Sequence, residues 1–342
     1  MNFDVAGIGN ALMDALVIIE DDSVLADLGL TRGMMHPVNH ERWMQSYERL
    51  RDHKISFESG GSCANTISTV GLLGGRAILY GQVGDDQMGH LYANKVHDAC
   101  GGHALRFVQD RATGKCLSII SAADAERTML TDLGAATELG QLGDFAQTLT
   151  QARWVHCEGY ALLGPPMSDT LIEGVRIAKA AGAKISLDAS DPFVVHSARE
   201  RVWSTIRDYA DLVFLNAEEA RGLTGLSPEE AIFRVAEEGK VKTIVVKLGS
   251  RGSLVLEDGR LYEIPVRKIQ AIDTTGAGDA YAGGYLYGVI QGWTPEECGK
   301  LASAVAALTV GQVGAVVKDR GALAFSLDEV RRSHTAHAGS LA

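Results

Sequence analysis

The chain has 342 residues, of which 22% are charged and 46% hydrophobic, and its formal net charge is −11 at pH 7. This length allows one large buried core with a smaller appendage. The acidic balance argues against a nucleic-acid partner, because no basic stretch is concentrated enough to pair with a phosphate backbone.

The five cysteines are scattered and include no Cys-x-x-Cys pair. This usage indicates a reducing compartment and no zinc site. The first residues place no basic segment before an apolar one, and no apolar run is long enough to span a bilayer. We therefore expect a cytoplasmic protein without a membrane partner.

The first strand is predicted from Phe3 to Gly9. Gly7 and Gly9 are compatible with a dinucleotide fingerprint, but Leu12 stands where the third small residue should be. The motif is therefore incomplete, which argues against a nicotinamide-dependent dehydrogenase.

Asp14 is a lone carboxylate in the otherwise apolar segment from Ala11 to Ile19, and Asn10 comes just before that segment. Such a carboxylate is expected either to have a hydrogen-bonding partner or to be available to a ligand. The alternative is a carboxylate on a solvent-facing strand edge.

A polar, helix-capable insertion runs from Asp21 to His53. In its second part, from His40 to Arg51, Trp43, Tyr47 and Leu50 recur at helical spacing. We interpret these three side chains as packing residues.

A double glycine follows the insertion. Gly60 and Gly61 allow the backbone to approach a ligand closely, and Asn65 offers a donor and an acceptor to adjacent hydroxyls. The next predicted elements are a helix at 62–73, a strand at 77–80, a turn at 81–86, a helix at 88–99 and lid strands at 105–109 and 116–121.

The second half of the chain alternates strands and helices. Strands are predicted at 154–158, 184–188, 212–215 and 243–248, and helices at 167–181, 200–209, 218–223 and 228–238. This rhythm indicates an α/β fold, with a mostly parallel central sheet covered by helices on both faces and a small β-rich lid. Ligands of such a sheet bind beyond the carboxyl ends of the strands.

One loop of this half is suited to a nucleotide. Lys247 lies at the end of a predicted strand, and Gly249 and Gly252 can approach nucleotide phosphates. The loop is not a Walker A motif, since no Gly-Lys-Ser/Thr closes it. Glu218 and Glu219, judged from the residues alone, are ordinary acids in the first turn of a helix.

The stretch from Asp273 to Asp279 has the sequence Asp-Thr-Thr-Gly-Ala-Gly-Asp. It follows a strand-like run at 261–266 and 269–272 and precedes a predicted buried helix at 280–290. Gly276 and Gly278 remove side chains that would keep an anion away from the backbone N–H groups of the helix end. Asp279 then lies close enough to such an anion to take a proton from an attacking hydroxyl. The alternative is a glycine turn in which Asp279 caps the helix.

This stretch resembles the C-terminal signature of the ribokinase-like (PfkB) family of carbohydrate and nucleoside kinases. A second motif, Gly60-Gly61-Ser62-Cys63-Ala64-Asn65 with Gly84-Asp85-Asp86 and Gly89 after it, stands in the family's order. The resemblance extends from about Phe3 to Gly314 and implies an ATP-dependent phosphotransferase. It also implies Mg²⁺ as a cofactor, with K⁺ as a further candidate.

Catalytic roles follow from the resemblance residue by residue. Asp279 corresponds to the catalytic base, and Gly276, Ala277 and Gly278 correspond to the anion hole. Arg127 is similar to an arginine of adenosine kinases that reaches the transferred phosphate. Without the resemblance, Arg127 is interpreted as a solvated turn residue.

Acceptor-binding roles follow in the same way. Asp14 corresponds to a carboxylate that binds sugar hydroxyls, and Met129 and Leu133 to apolar residues of a nucleoside pocket. Phe193 corresponds to an aromatic residue that stacks on a nucleoside base, with a core phenylalanine beside a turn proline as the alternative. The implied acceptor-binding residues are Asn10, Asp14, Gly60, Gly61, Asn65, Met129, Leu133 and Phe193.

Nucleotide and ion roles complete the implied site. Asn216 and Glu219 match the family's Asn-x-x-Glu, in which the glutamate acts on Mg²⁺ through water. The backbone around Asp273 and Thr275, with Gln312 and Gly314, loosely resembles a monovalent-cation loop. The implied ATP-binding residues are Asn216, Glu219, Lys247, Gly249, Gly252, Thr274, Gly276 and Gly278.

The resemblance divides the chain into a large nucleotide- and substrate-binding domain (1–10, 53–103 and 128–342) and a lid (11–52 and 104–127). The lid insertion, Arg127 and Phe193 favour adenosine or a related nucleoside, phosphorylated on its 5′-hydroxyl. A free sugar (ribose, fructose or a derivative) is the first alternative. A non-catalytic ligand-binding protein on the same fold is the second. The expected partners are small molecules, and a monomer and a homodimer are both compatible with the sequence.

Overall fold

A computed structural model describes residues 2–124 and 126–340. Residues 1, 125, 341 and 342, which the predicted domains include, lie outside this description. The described strands, in chain order, are β1 (Phe3–Ile8), β2 (Leu12–Ile19), β3 (Met35–Pro37), β4 (Ile55–Gly60), β5 (Ala77–Tyr80), β6 (Gln82–Gly84), β7 (Arg106–Val108), β8 (Gly114–Ser121), β9 (Arg127–Asp132), β10 (Ala152–Glu158), β11 (Lys184–Asp188), β12 (Leu212–Asn216), β13 (Thr243–Lys247), β14 (Ser253–Glu257) and β15 (Arg260–Ile264).

The described helices, numbered likewise, are α1 (Ser23–Asp27), α2 (His40–Leu50), α3 (Ser62–Leu72), α4 (Gln87–Cys100), α5 (Phe145–Leu149), α6 (Met167–Ala180), α7 (Pro192–Ser197), α8 (Arg199–Tyr209), α9 (Ala217–Thr224), α10 (Pro228–Gly239), α11 (Ala277–Ile290), α12 (Pro295–Val310) and α13 (Arg320–Ser340). No helix within the described ranges is long and apolar enough to cross a membrane.

Eight strands form the main sheet in the order β15-β14-β13-β12-β11-β10-β1-β5. The pairs from β5 through β13 are parallel, and β14 and β15 add two antiparallel strands at one edge. Two separate hydrophobic cores consist of side chains from the main sheet and the helices that cover it. Strands covered on both faces need nearly continuous Val, Ile and Leu, and β11 to β13 have that composition. The α/β prediction is therefore confirmed.

A small sheet of five strands, in the order β3-β9-β8-β2-β4, has its own core. Alternate residues of β2 (Ala15, Val17 and Ile19) enter that core, where Trp43 and Leu50 of α2 are fully buried. The predicted packing role of the α2 residues is thus confirmed. The small sheet also contains β4 and β9, most of which the predicted division assigns to the large domain; the division into two domains itself stays a prediction.

Three local predictions need correction. The predicted lid strand at 105–109 is β7, which pairs with β6 inside the predicted turn at 81–86 and not with the small sheet. The strand-like run predicted before the glycine stretch ends at Ile264, and residues 265–276 form neither helix nor strand. Around Pro192 the chain forms α7, because the Asp191 side chain accepts from the N–H of Phe193 at 2.7 Å and proline is favourable in a first turn.

Candidate active site

The predicted base and the second motif meet at the carboxyl end of the main sheet. The two carboxylate oxygens of Asp279 accept hydrogen bonds from Ser62 Oγ at 2.7 Å and from Asn65 Nδ2 at 2.8 Å. Asp279 lies in the first turn of α11, and both of its partners lie in the first turn of α3. Its carboxylate is therefore held by another helix and does not cap its own, contrary to the alternative interpretation.

The environment of Asp279 suits proton transfer near neutral pH. Burial raises the pKa of its carboxyl group to about 6, although the hydrogen bonds from Asn65 and Ser62 favour the charged form. A base with a pKa close to the working pH combines a high charged fraction with a useful proton affinity.

A glycine turn precedes the helix that contains Asp279. Gly276 has φ of +68°, in the left-handed region, and a Cβ placed on it would collide with Ala315. A side chain at this position would have to displace the backbone of the turn. The first turn of α11 thus begins next to Asp279, and its N–H groups lack intrahelical acceptors, as an anion site requires; the N–H of Ala277 donates to the Thr274 carbonyl at 3.3 Å.

Asp14 lies on the same side of the structure, in β2. This strand is paired on both sides, by β4 and β8, so the alternative of a solvent-facing edge is wrong. Burial raises the pKa of the Asp14 carboxyl to about 7; Arg127 opposes this shift and the charge of Asp279 adds to it. Asp14 receives no hydrogen bond from any residue that the structure describes, which leaves its oxygens available to a ligand.

Two asparagines nearby also have unused acceptors. The Oδ1 atoms of Asn10 and Asn65 are buried, and neither has a hydrogen-bond partner within the described ranges. Because buried acceptors are rarely left unpaired, these atoms and the Asp14 carboxylate form a set suited to the hydroxyl donors of a ligand. Gly61 lies between the two asparagines: a Cβ placed on it would collide with the Asn10 carbonyl oxygen, and its own carbonyl accepts from the N–H of Asn65 at 2.9 Å.

Glu158 is a site residue that the sequence did not reveal. Its fully buried carboxylate accepts from the N–H of Asn10 at 2.7 Å and from the N–H of Cys63 at 2.6 Å. Burial raises the pKa of Glu158 to about 7. It therefore ties the loop after β1 to the first turn of α3. The available signal was a charged residue closing a buried strand, at the sheet edge where ligands bind.

Arg127 connects the small sheet to the loop before α11. It begins β9, is half-buried, and donates to Thr275 Oγ1 at 3.0 Å, so the interpretation as a solvated turn residue is wrong. Asp273 is fully buried and accepts from the N–H groups of Thr275, at 2.9 Å, and Gly314, at 2.8 Å. Both of its oxygens are thus used within the loop, and the monovalent-cation role of Asp273 and Thr275 stays a prediction.

The Asn-x-x-Glu segment forms a capping box at the start of α9. Asn216 Oδ1 accepts from the N–H of Glu219, and Glu219 accepts from the N–H of Asn216 at 2.8 Å. Burial raises the pKa of Glu219, and the charge of Lys247 opposes this shift. The described residues contain no group of three or more His, Cys, Asp or Glu side chains that could hold a metal ion. The Glu219 carboxylate and the Asn216 side-chain oxygen are oxygen donors of the kind that Mg²⁺ takes beside water and phosphates.

The remaining predicted residues lie around the same edge. Lys247 ends β13 and donates to Asp188 Oδ2 at 2.7 Å, and the turn with Gly249 and Gly252 follows it. Met129 is half-buried on β9, two residues from Arg127 and therefore on the same face of the strand. Further residues around the edge are Gly60 at the end of β4, the exposed Thr274, and Ala277 and Gly278 in the first turn of α11.

Two predicted apolar residues are exposed. Leu133 has 40% of its surface exposed and Phe193 has 54%, so the alternative of a core phenylalanine is wrong. No described hydrogen bond or aromatic contact joins Phe193 to Asp14 or Asn65. Its position against a nucleoside base stays a prediction.

Known kinases are similar to this chain in sequence or in fold. The model of the pfkB family carbohydrate kinases matches residues 34–319. The crystal structure of adenosine kinase from Sinorhizobium meliloti is 33% identical, with a TM-score of 0.86, and the match covers 97% of this chain and 99% of that one. The structure of a probable sugar kinase from Rhizobium etli CFN 42 is 31% identical, with a TM-score of 0.86 and coverage of 97% and 98%. Fructokinase-1 of Oryza sativa subsp. japonica is 29% identical over 75% of this chain and 84% of its own length.

The fold, the site and these similarities together define an ATP-dependent carbohydrate/nucleoside kinase with a ribokinase-like fold. The chain belongs to the pfkB family of carbohydrate kinases.

Proposed function

We propose that this kinase transfers the γ-phosphoryl group of ATP to the 5′-hydroxyl of adenosine or a related nucleoside. The observation that supports the proposal most is the carboxylate of Asp279. It is held by Ser62 and Asn65, next to the glycine turn and close to acceptor atoms that have no hydrogen-bond partner among the described residues.

In the proposed reaction Asp279 accepts the proton of the attacking hydroxyl. The hydroxyl oxygen forms a bond to the γ-phosphorus, the bond from that phosphorus to the bridging oxygen breaks, and its electron pair leaves with ADP. The N–H groups of Gly276, Ala277 and Gly278 stabilise the charge that grows on the transferred group. Arg127 shares this charge from the small sheet, and closure of the predicted lid excludes water as a competing acceptor.

Mg²⁺ would lower the negative charge on the ATP phosphates, and Glu219 would hold it through water. Asn216, Thr274, Gly249 and Gly252 are proposed to contact the nucleotide. K⁺ binding at the loop of Asp273 and Thr275, a cytoplasmic location and the monomeric or dimeric state remain predictions.

The choice of a nucleoside is supported by exposed apolar side chains, two of them among the predicted acceptor-binding residues. Met35 pairs in register with Met129 and has 41% of its surface exposed, and Leu133 and Phe193 are exposed as well. A nucleobase has apolar faces that can cover such side chains, whereas a free sugar has hydroxyls on every side. The relatives include an adenosine kinase and a fructokinase, so a free sugar is the alternative acceptor.

A panel of acceptors in a coupled ADP-release assay tests the proposal. We expect adenosine or a related nucleoside to have the highest kcat/KM, with ribose and fructose well below it. Strong turnover of free sugars without turnover of nucleosides would refute the choice of acceptor. Ligand binding without ADP release for every acceptor would favour the non-catalytic alternative.

The pH dependence of kcat/KM should reflect the carboxylates of the site. Asp279 must be charged to accept a proton, and its pKa is about 6, so kcat/KM should rise through pH 6 and be about tenfold below its plateau at pH 5. Asp14 and Glu158 titrate nearby, so the limb reports the coupled set. Initial rates from pH 5 to 8.5 check this. A flat profile, with enzyme stability verified at each pH, would contradict the role of Asp279.

Asp14→Asn should separate stability from binding. The folded pKa of Asp14 is about 7, above its ordinary value of 3.8, so the folded state binds more protons and loses stability as the pH rises from about 4 to 7. The variant should therefore be more stable than the wild type at pH 8, by about 1–3 kcal/mol, and closer to it at pH 4. The KM for the acceptor should increase at least tenfold, since a charged hydrogen-bond acceptor is lost.

Thermal unfolding at both pH values and acceptor kinetics measure the two effects. Asp86→Asn is a control of opposite sign, because the Asp86 carboxylate accepts from Thr113 and Gly89, which lower its pKa against the effect of burial. That variant should lose stability at pH 8. If Asp14→Asn also loses stability at pH 8, the Asp14 carboxylate stabilises the fold and is not a free acceptor for a ligand.

A further inference from the structure

A buried ion pair lies at the carboxyl edge of the main sheet. The resemblance places its lysine among the ATP-binding residues, but the reaction scheme above gives no role to its aspartate. Asp188 ends β11 and Lys247 ends β13, and Lys247 Nζ donates to Asp188 Oδ2 at 2.7 Å across the strand between them. The Asp188 side chain is 1% exposed and the Lys247 side chain 14%. Taking both charges out of water is costly, so a pair in this position is weak support for stability alone.

The ammonium of this pair lies under the glycine turn. A Cβ placed on Gly278 would be 3.2 Å from Lys247 Nζ, so the absence of a side chain at Gly278 makes room for the lysine. Within the described residues, Asp188 is the one hydrogen-bond acceptor for this ammonium, which has three donors. Burial lowers the pKa of Lys247, but the charges of Asp188 and Glu219 outweigh it and the net shift is upward. Lys247 is therefore a permanent cation with spare donors beside the N–H groups of α11.

The backbone fixes the other end of the pair. The N–H of Ser190 donates to Asp188 Oδ1 at 3.0 Å, and Ser190 Oγ donates to the Asp188 carbonyl at 3.1 Å. Ser190 also accepts from the N–H of Gly159 at 2.9 Å, and its φ is +74°, a left-handed conformation that is rare for serine. A strained turn that persists is held by its surroundings, and such turns are concentrated at functional sites. Asp188 is thus a rigid anchor for a flexible lysine.

We propose that Asp188 is a positioning residue that holds the Lys247 ammonium under Gly278, where its charge meets the phosphoryl group during transfer. This inference rests on the proposed kinase reaction and adds a residue to it. Lys247 contacts the phosphoryl group, and Asp188 acts only through Lys247. A fixed cation placed where charge develops stabilises the transition state more than the bound nucleotide, and a displacement of about 1 Å can reduce the rate about 10²-fold.

Asp188→Asn tests the inference through the division between kcat and KM. The change releases the lysine but also removes a negative charge from the phosphate site. We therefore expect kcat to fall about 10- to 100-fold while the KM for ATP stays unchanged or decreases. General damage to the site would raise the KM for ATP as well. Lys247→Met should lower kcat and raise the KM for ATP.

The double variant Asp188→Asn/Lys247→Met distinguishes positioning of Lys247 from a merely structural role of Asp188. In the Lys247→Met background, Asp188→Asn should leave kcat unchanged or restore part of it, because Asp188 then has no ammonium to hold and only repels phosphates. The matched control is Asp211→Asn, which breaks the Lys179–Asp211 pair, also 2.7 Å long, near the amino end of β11. That control should change kcat by less than about twofold.

The inference is overturned if Asp188→Asn lowers kcat by the same factor in both backgrounds, or by no more than Asp211→Asn does. If the wild-type protein releases no ADP with any acceptor, the proposed function fails, and calorimetric titration of the same proteins with ATP decides the inference. Binding should then be weaker in Lys247→Met and partly regained in the double variant. Equal ATP affinity in all of them would overturn the link between Asp188, Lys247 and the phosphate site.

Discussion

Replacing Asp279 with asparagine should lower kcat by about 10²–10⁴ while ATP affinity stays largely intact, since this is the usual contribution of a general base. An asparagine keeps one oxygen that can accept from Ser62 or Asn65, so the contact between α11 and α3 is largely preserved. What the variant loses is the ability to take a proton. Steady-state kinetics with saturating acceptor, together with ATP titration by calorimetry, measure the two quantities separately.

A second acidic residue in the first turn of a helix serves as the control for Asp279→Asn. Glu296 lies in the first turn of α12 and is exposed, so Glu296→Gln should change kcat by less than about twofold. Turnover near the wild-type level in Asp279→Asn would exclude Asp279 as the base. A loss of ATP binding in the variant would instead indicate that the carboxylate supports the nucleotide site, which its contacts to α3 do not suggest.

Most of the main sheet could be predicted because its signals are local. The strand at Lys184–Asp188 was predicted with its observed bounds, and the predicted strand at 212–215 differs from β12 by one residue. Continuous apolar runs bounded by polar loops are typical of strands buried on both faces. The predicted helices at 167–181, 200–209, 218–223 and 228–238 differ from α6, α8, α9 and α10 by no more than one residue at either end.

The features that could not be predicted from the sequence depend on contacts between residues that are far apart in the chain. The sequence of β6 is typical of a turn because Gly81 precedes it and Gly84 ends it, and it forms a strand by pairing with β7. Glu158 and the ion pair of Asp188 with Lys247 became visible only when the strands were placed side by side. Arg127 was interpreted from its neighbours as solvated, but folding places it against Thr275.

The site residues were predicted mainly by resemblance, and the structure adds the contacts and distances between them. Asp279 and Asn65 are far apart in the chain, and no local pattern connects them. In the folded chain α3 and α11 pack against each other, which places Asn65 Nδ2 at 2.8 Å from Asp279. The motif residues therefore act as one group because two helix N-termini face the same edge of the sheet.

Gly276→Ala should be the most damaging change at the glycine turn. An alanine at φ of +68° is strained by about 1–2 kcal/mol, and its Cβ would lie 2.7 Å from the Cα of Ala315, so the turn must move. Moving the turn displaces the N–H groups that are proposed to bind the transferred phosphoryl group. The loss of one such donor reduces kcat about 10²–10³-fold, and we expect an effect of that size.

The far end of the same helix provides the matched control. Gly292 follows the last residues of α11 with φ of +75°, and a Cβ placed on it would meet no atom within 4 Å. Gly292→Ala therefore introduces the same backbone strain without a collision, and it should cost a similar amount of stability while kcat stays within about twofold of the wild type. Rates measured well below the melting temperature of each variant separate catalysis from unfolding. If both alanine variants lose stability equally and both keep their kcat, the N–H groups after Gly276 are not part of the phosphoryl site, because only one of the two substitutions displaces them.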